Sequence, residues 1–262
     1  MGDVPPSPEG IEISTQWEAP AIVLATRPHG EGGAVVTLLT EEHGRHAGLA
    51  KGGASRAHAA LWQPGNLVEV RWMARLPEQL GMLSGEMVHA AASRALDDPL
   101  ALAVLSGACA VADGALPERE AHPACFHGLV QVIAALARGP DQALPMLVRW
   151  EAGLLAELGY GLDLASCAAT GATENLVWVS PKSGRAVGAA AGAPYADRLL
   201  PLPAFLRDAA QPSNAEEWLA GLRLTGFFLT RDAFGHQHRP LPTARIMLQD
   251  RLTSMTGQSE NG

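Results

Sequence analysis

With 262 residues, 47 % of them hydrophobic, the chain has enough apolar material for one large domain or two or three small ones with packed cores. Its formal net charge of −8 excludes a molecule coated all over with polyanion, so any grip on nucleic acid has to be local. Cys109, Cys125 and Cys167 are odd in number and widely spaced, which argues against a disulfide framework and fits a reducing compartment, the cytoplasm.

The opening MGDVPPSPEG is acidic and proline-rich and lacks the cationic start and apolar centre of a signal peptide, so residues 1–15 are expected as a disordered lead. No later run is long and apolar enough to span a bilayer, and no membrane partner is expected. From Trp17 to Val88 the pattern is strand-like: AIVLAT at 21–26, AVVTLLT at 34–40, GRHAGLA at 44–50, LVEVRWMAR at 67–75 and LGMLSGEMV at 80–88. These runs predict a small five-stranded barrel, since closure removes exposed strand edges. Pro28, Gly30, Gly32, Gly33 and Gly44 supply the turns.

Between the third and fourth runs lies a small, basic, glycine-bearing loop carrying Lys51, Arg56 and His58. In the strand that follows, Val68, Val70 and Trp72 share one face while Glu69, Arg71 and Arg75 share the other. A basic loop beside a partly cationic face, with no phosphate loop or nucleophile motif nearby, suggests a polyanion surface; the plain alternative is a solvated glycine turn. Lysine occurs only as Lys51 and Lys182, so arginine carries most of the positive charge. Arg27 and Arg45, at strand ends beside the same sheet, are weaker phosphate candidates. Of the three tryptophans in this region, the alternation assigns Trp72 to the core, Trp17 packs locally, and Trp62 is the stacking candidate for a base.

At Asp97 the pattern changes to helical. Asp97 and Asp98 suit a cap and Pro99 a first turn. Leu102, Leu105 and Cys109, then Cys125, Leu129, Val132 and Leu136, then Leu147, Trp150, Leu154 and Leu158 recur at helical spacing. The third of these helices should stop near Gly159 and Gly161. Cys109 and Cys125, in apolar stripes, read as core. LVWVSPKSGRAV makes a small hairpin around Pro181–Gly184. Helical signals return at Asn214, spaced from Glu217 as in a capping box, and a last helix is expected over 244–252 with a polar tail after it. His236 and His238 read as surface groups near Arg231 and Arg239. That cluster, with Arg245 and Arg251, either extends a DNA path, receives an acidic peptide, or is a solvated face. Ser84 and Ser183 fail the nucleophile-elbow pattern, and Glu41, Glu42, Asp97 and Asp98 suit a turn and a cap better than acid–base work; no catalytic residue is expected.

Taken together, LAKGGASRAHAALWQPGNLVEV, LLAELGYGLDLASCAATGA, VWVSPKSGRAV and RLLPLPAFL resemble the bacterial RecO recombination mediator family, from about Trp17 to Leu252. The resemblance implies an α+β multidomain chain. Its parts are an N-terminal five-stranded OB-fold β-barrel (16–90), a helical domain (95–165 and 212–254), a small zinc-ribbon-like β-hairpin lobe (166–203) and a disordered tail (255–262). It implies a cytoplasmic, nucleoid-associated, non-enzymatic protein of recombinational repair. Such a protein binds single- and double-stranded DNA, anneals complementary strands without ATP and contacts the tail of single-stranded-DNA-binding protein. With RecR it helps load RecA. Agreeing with this, no glycine-rich loop ending in Gly-Lys-Ser/Thr is present. On this reading Lys51, Arg56, Arg71 and Arg75 contact phosphates, with Arg27, Arg45 and Trp62 in support.

Two departures stand out. Many relatives hold a Cys-x-x-Cys pair after LGYGLDL, whereas Cys167 is followed by Ala168, Ala169 and Thr170, and no further cysteine or histidine occurs before Phe234. A structural zinc needs about four ligands, so no metal and no other cofactor is expected, and Leu176, Trp178 and Val187 should hold the lobe by packing. The loop also has fewer cations than is common in the family. A runner-up reading is a protein-interaction adaptor with little direct DNA binding.

Overall fold

The computed structural model describes residues 15–55 and 58–259, with 258 and 259 described by backbone alone. Strands β1 (Thr15–His29), β2 (Gly33–Thr40), β3 (Gly44–Ala50), β4 (Leu67–Ala74) and β5 (Gly81–His89) close in the order β1-β2-β3-β5-β4. The only parallel pair among them is β3 with β5. The small five-stranded barrel expected from the alternation is therefore present, as is the OB arrangement that the family resemblance implies.

Strand β1 outruns its apolar stretch for a tertiary reason. Its early half pairs with β4 (Trp17↔Trp72) and its later half with β2 (Thr26↔Val36), with a register shift between Val23 and Ala25. Ala21 and Val23 face the barrel interior with Val36, Leu38, Val68, Val70 and Trp72, while Ile22 and Leu24 face outward into the helical core. Four consecutive residues are thus buried, because this one strand has packed partners on both faces.

A helical body follows. Helices α1 (Ala91–Ala95), α2 (Pro99–Ala115), α3 (Pro123–Leu136) and α4 (Pro140–Glu157) precede the small lobe. Asp98 caps α2 by accepting from the N–H groups of Leu100 (2.8 Å) and Ala101 (3.1 Å), with Pro99 in the first turn. Helix α2 buries Val104, Leu105, Ala108, Cys109, Val111 and Ala112, whereas Leu102 points outward. Helix α4 ends ahead of Gly159, whose φ of +85° is the left-handed conformation that glycine adopts without a Cβ penalty.

The lobe comprises β6 (Leu176–Val179), β7 (Ala186–Gly188), α5 (Ala189–Gly192) and β8 (Leu200–Pro201). It is a three-stranded sheet in the order β7-β6-β8, one strand more than the expected hairpin. Leu176 and Val187 are buried and Trp178 half-buried in its packing. Helix α6 (Ala215–Phe228) starts where the Asn214 side chain accepts from Glu217 N–H at 3.0 Å. A π turn over Leu229–Phe234 follows, and the chain closes with α7 (Thr243–Ser259). The polar tail expected from 255 is therefore helical to Ser259. Thr253, Ser254 and Thr256 turn their hydroxyls back onto carbonyls of their own helix, so polar composition does not stop it. Of the disordered lead, residues 1–14 lie outside the described residues, and Thr15 already belongs to β1.

Barrel and body meet tightly. A Cβ on Gly44, which has φ +60°, would lie 1.8 Å from the carbonyl oxygen of Glu120, in the connection between α2 and α3. Arg119 N–H donates to Arg45 O at 2.8 Å beside it.

Candidate nucleic-acid interface

The basic loop leaves the barrel at the end of β3. Ala50 pairs with Leu83 of β5, so the next position, Lys51, continues the row through Ser84, which pairs with Arg71, which pairs with Glu18. In the other direction Ala50 pairs with Ala34, so the row runs through Gly33 to its partner His29. With strands about 4.8 Å apart, Lys51 stands roughly 10 Å from the backbones of both His29 and Arg71. Arg27 lies two residues before His29 on the same strand face and is 78 % exposed at its side chain. The loop is tied to the β1–β2 turn by Ala54 N–H donating to Gly32 O at 3.2 Å. Lys51, Arg27 and His29 therefore share one rim of the barrel.

The cations of this region meet different fates. Lys51 and Arg75 are exposed, and among the described residues neither has a carboxylate within ion-pairing distance. Arg75 stands at the far end of β4, about 13 Å along the strand from Arg71, so the structure does not bring it to Lys51. Arg56 lies outside the described residues. Arg71 is exposed but held by Glu18 (3.5 Å) and Gln16 (3.2 Å). Around it the outer face carries Glu18 and the directly opposed pair Glu69↔Glu86, so the sheet face expected to be partly cationic is acidic on balance.

Two expected site residues are corrected. Arg45 is not displayed for phosphate: at 18 % side-chain exposure it donates to Leu116 O (2.7 Å) and pairs with Asp113 and Glu118, both at 3.5 Å. It fastens the barrel to α2. Trp62 is not a stacking surface, because its ring drops into the barrel core at 3 % exposure and its carbonyl accepts from the Thr26 hydroxyl. The LWQPG run reads as loop, but an indole in a loop over an open barrel end gains more by filling it than by facing water.

At the other end of the barrel, Trp72 is in the core as the alternation predicts and donates to Ala47 O at 3.1 Å. Trp17 lies half-buried between Trp72 (5.7 Å) and His43 (4.2 Å), both stacked on it. His46 is buried and sits edge-on to both indoles. Burial, reinforced by the nearby Arg119 cation, lowers its pKa to about 4. Arg119 itself, at a φ of +61°, donates to the carbonyls of Glu78 and Gln79 and pins the β4–β5 turn. No sequence pattern marked Arg119 or Asp113, since their partners lie in a different part of the chain.

The C-terminal basic cluster is only partly a free cationic surface. Arg245 is fully buried, donating to Glu151 at 2.5 and 3.0 Å and to Leu222 O at 2.8 Å. Arg231 is paired with its neighbour Asp232 at 2.7 Å, and its guanidinium also reaches Pro181 O. Of its four arginines, Arg239 and Arg251 are exposed with no carboxylate within ion-pairing distance among the described residues. His236 and His238 are exposed, His236 stacking on Tyr160.

Among the described residues no three His, Cys, Asp or Glu side chains converge as a metal site. The Cys167 thiol is lowered to about 7 by the Thr170 hydroxyl and then by the Gly188 N–H, which lies 3.2 Å from the sulfur. Burial instead pushes Cys109 and Cys125 up to about 12, as befits core residues. No helix among the described residues is long and apolar enough to cross a membrane.

Comparison with known proteins agrees with this architecture. Residues 14–91 match the family model "Recombination protein O N terminal" and residues 96–240 match "Recombination protein O C terminal". The DNA repair protein RecO of Gluconacetobacter diazotrophicus is 54 % identical over 244 residues, covering 92 % of this chain and 96 % of that one. The RecO proteins of Granulibacter bethesdensis and Acidiphilium cryptum are 53 % identical over 242 residues and 55 % over 241. These alignments cover 92 % and 91 % of this chain and 97 % and 96 % of the relatives. With both halves of the fold matched and relatives aligned over nearly their whole length, the chain belongs to the RecO family of DNA repair proteins.

Proposed function

We propose that this chain is a recombination mediator acting without catalysis. It binds single- and double-stranded DNA, anneals complementary strands without ATP, and with RecR helps place RecA on single strands coated by single-stranded-DNA-binding protein. Family membership supports the role in recombinational DNA repair and the involvement of DNA and recombination machinery. One observation carries the DNA-binding part: Lys51 is exposed and, among the described residues, without a carboxylate partner on the barrel rim it shares with Arg27 and His29, while Arg71 is engaged by Glu18 and Arg45, at the other end of β3, by Asp113 and Glu118. Arg56 and the distant Arg75 are proposed as further phosphate contacts.

The mechanism follows from charge and local concentration. Cations on the rim neutralise a few phosphates and release their counterions, so two strands held there repel each other less. Complementary bases then meet at high effective concentration, and pairing supplies the free energy. No nucleotide needs to be consumed, in keeping with the lack of a phosphate-binding loop motif. The helical body is proposed to engage RecR and the acidic tail of single-stranded-DNA-binding protein.

Binding of a fluorescent oligonucleotide across a salt series tests this reading. Each neutralised phosphate contributes about 0.7 to the slope of log affinity against log salt on single strands. Lys51→Glu combined with Arg56→Glu should lower both affinity and slope; unchanged values would remove the rim from the interface. The adaptor reading, in which the chain recruits proteins and touches DNA little, is favoured by one feature, the Glu18, Glu69 and Glu86 carboxylates around Arg71. It predicts no complex even in dilute buffer.

A further inference from the structure

Burial of Trp62 and Trp72, and the covering of Trp17 by His43 and Trp72, leave the barrel tryptophans without a free face for a base. The structure has room for one elsewhere. Between the barrel and the helical body runs an open groove of about 490 Å³, lined by Thr26 and Pro64 from the barrel side, Ser106 and Ala110 of α2, and Pro240 and Pro242 from the segment before α7. This volume falls in the range of small-molecule sites, ~300–1,000 Å³, which form preferentially where two domains meet.

We infer that this groove receives one unpaired nucleotide of a single strand, with Arg27 and Arg239 at its margins placed for the flanking phosphates. The inference rests on the DNA-binding reading above and adds a subsite to it. Three observations point the same way. The prolines offer rigid, flat apolar faces, and Ser106, Asp113 and Thr243 add donors and acceptors that suit base edges. Arg239 lines the groove, is exposed, and among the described residues donates to the neutral acceptors Gly114 O (3.2 Å) and Gln237 Oε1 (3.4 Å) and pairs with no carboxylate. Arg27, 78 % exposed at its side chain and 3.7 Å from Asp113 of the groove lining, can swing to a phosphate, while Asp113 keeps an ion pair at 3.5 Å with Arg45, which it shares with Glu118.

Arg27 links the groove to the proposed rim, since it shares the rim with Lys51 and adjoins Thr26 of the groove lining on β1. A base already paired in a duplex cannot enter, so the subsite confers a preference for single strands.

The test compares a fluorescein-labelled oligothymidylate with a blunt duplex of equal length, both at fixed salt. Ala110→Trp fills the groove and should reduce the ratio of single-strand to duplex affinity about tenfold, equivalent to roughly 1.4 kcal/mol of lost base contact. Lys51→Glu should weaken both substrates and leave the ratio near its starting value. A ratio unchanged by Ala110→Trp, or a fall in both affinities together, overturns the groove. Wild-type protein that binds neither substrate overturns the DNA reading itself. If Ala110→Trp does not fold, photo-cross-linking of wild-type protein to an oligonucleotide carrying 5-iododeoxyuridine decides. Adducts on peptides containing residues 234–243 support the inference, and adducts confined to other surfaces refute it.

Discussion

Lys51 on the barrel rim and Arg245 on α7 look alike in the sequence, each a cation in a run with basic neighbours, yet the fold treats them oppositely. Lys51 is exposed and has no ion-pair partner among the described residues, whereas Arg245 is sealed at 0 % side-chain exposure against Glu151, itself at 0 %. One is available to a ligand. The other is spent on joining α7 to α4 and α6, with Thr225 completing the network by donating to Glu151 at 2.5 Å. A count of basic residues therefore overstates the surface this chain can offer to DNA. Arg45 lies between these extremes, engaged by Asp113 and Glu118 but still partly exposed.

The largest effect expected from this contrast is on stability. Glu151→Ala leaves the Arg245 cation buried and unpaired and should cost about 3–5 kcal/mol in urea unfolding. Replacing both partners with apolar residues, Glu151→Leu with Arg245→Met, should restore most of that loss. Lys51→Ala should move the unfolding midpoint by no more than about 0.5 kcal/mol equivalent. A Glu151→Ala protein as stable as wild type would show that the buried pair does not hold α7.

Arg45 sharpens the middle of the comparison. Arg45→Ala removes the donor to Leu116 O and two ion pairs at the joint, a loss of about 1–3 kcal/mol. The salt slope for oligonucleotide binding should not change, because this guanidinium does not meet phosphate. A slope reduced in Arg45→Ala would return Arg45 to the interface.

A pH series separates the two ends of the barrel. The folded pKa of His46 is about 4, below the ordinary 6.5, because burial disfavours its charged form and Arg119 repels it. His43 is lowered in the same direction by burial, against the pull of Glu42. The unfolded chain therefore binds more protons in this range. The stabilisation is complete above pH 6.5, declines as pH falls below that value, and its loss levels off below about 4. Thermal melts should show a Tm falling from pH 7 to pH 5, with a smaller fall in His46→Phe. Equal falls in both proteins would exclude His46 as the source.

The smallest effect belongs to the rim. Lys51→Ala should lower the salt slope on single strands by about 0.7, one phosphate contact, with duplex and single strand both affected. A slope lowered by Arg71→Ala but not by Lys51→Ala would move the interface to the acidic sheet face.

What could be read along the chain were the features set by short spacing. The strand alternation of Val68, Val70 and Trp72, the cap at Asp98, the stop at Gly159 and the cap at Asn214 each depend on residues within a few positions, and all are found in place. Family motifs, which are also local strings, carried the barrel and helical body with them.

The fates of Trp62, Arg45 and Arg245 belonged to tertiary structure alone. Arg45 finds Asp113 68 residues away, and Arg245 finds Glu151 94 residues away. Trp62 is buried because a closed barrel needed its ring, a requirement that exists only once the strands have met. Whether a cation is free depends on which carboxylates folding brings near it, and no local pattern encodes that distance. The sequence by itself determined the barrel strands, the main helices and the caps set by short spacing, but not the full length of β1, the reach of α7 or the third strand of the lobe. Only the packed molecule decided which of its charges and rings are left to meet another molecule, because burial and ion pairing are properties of neighbours in space.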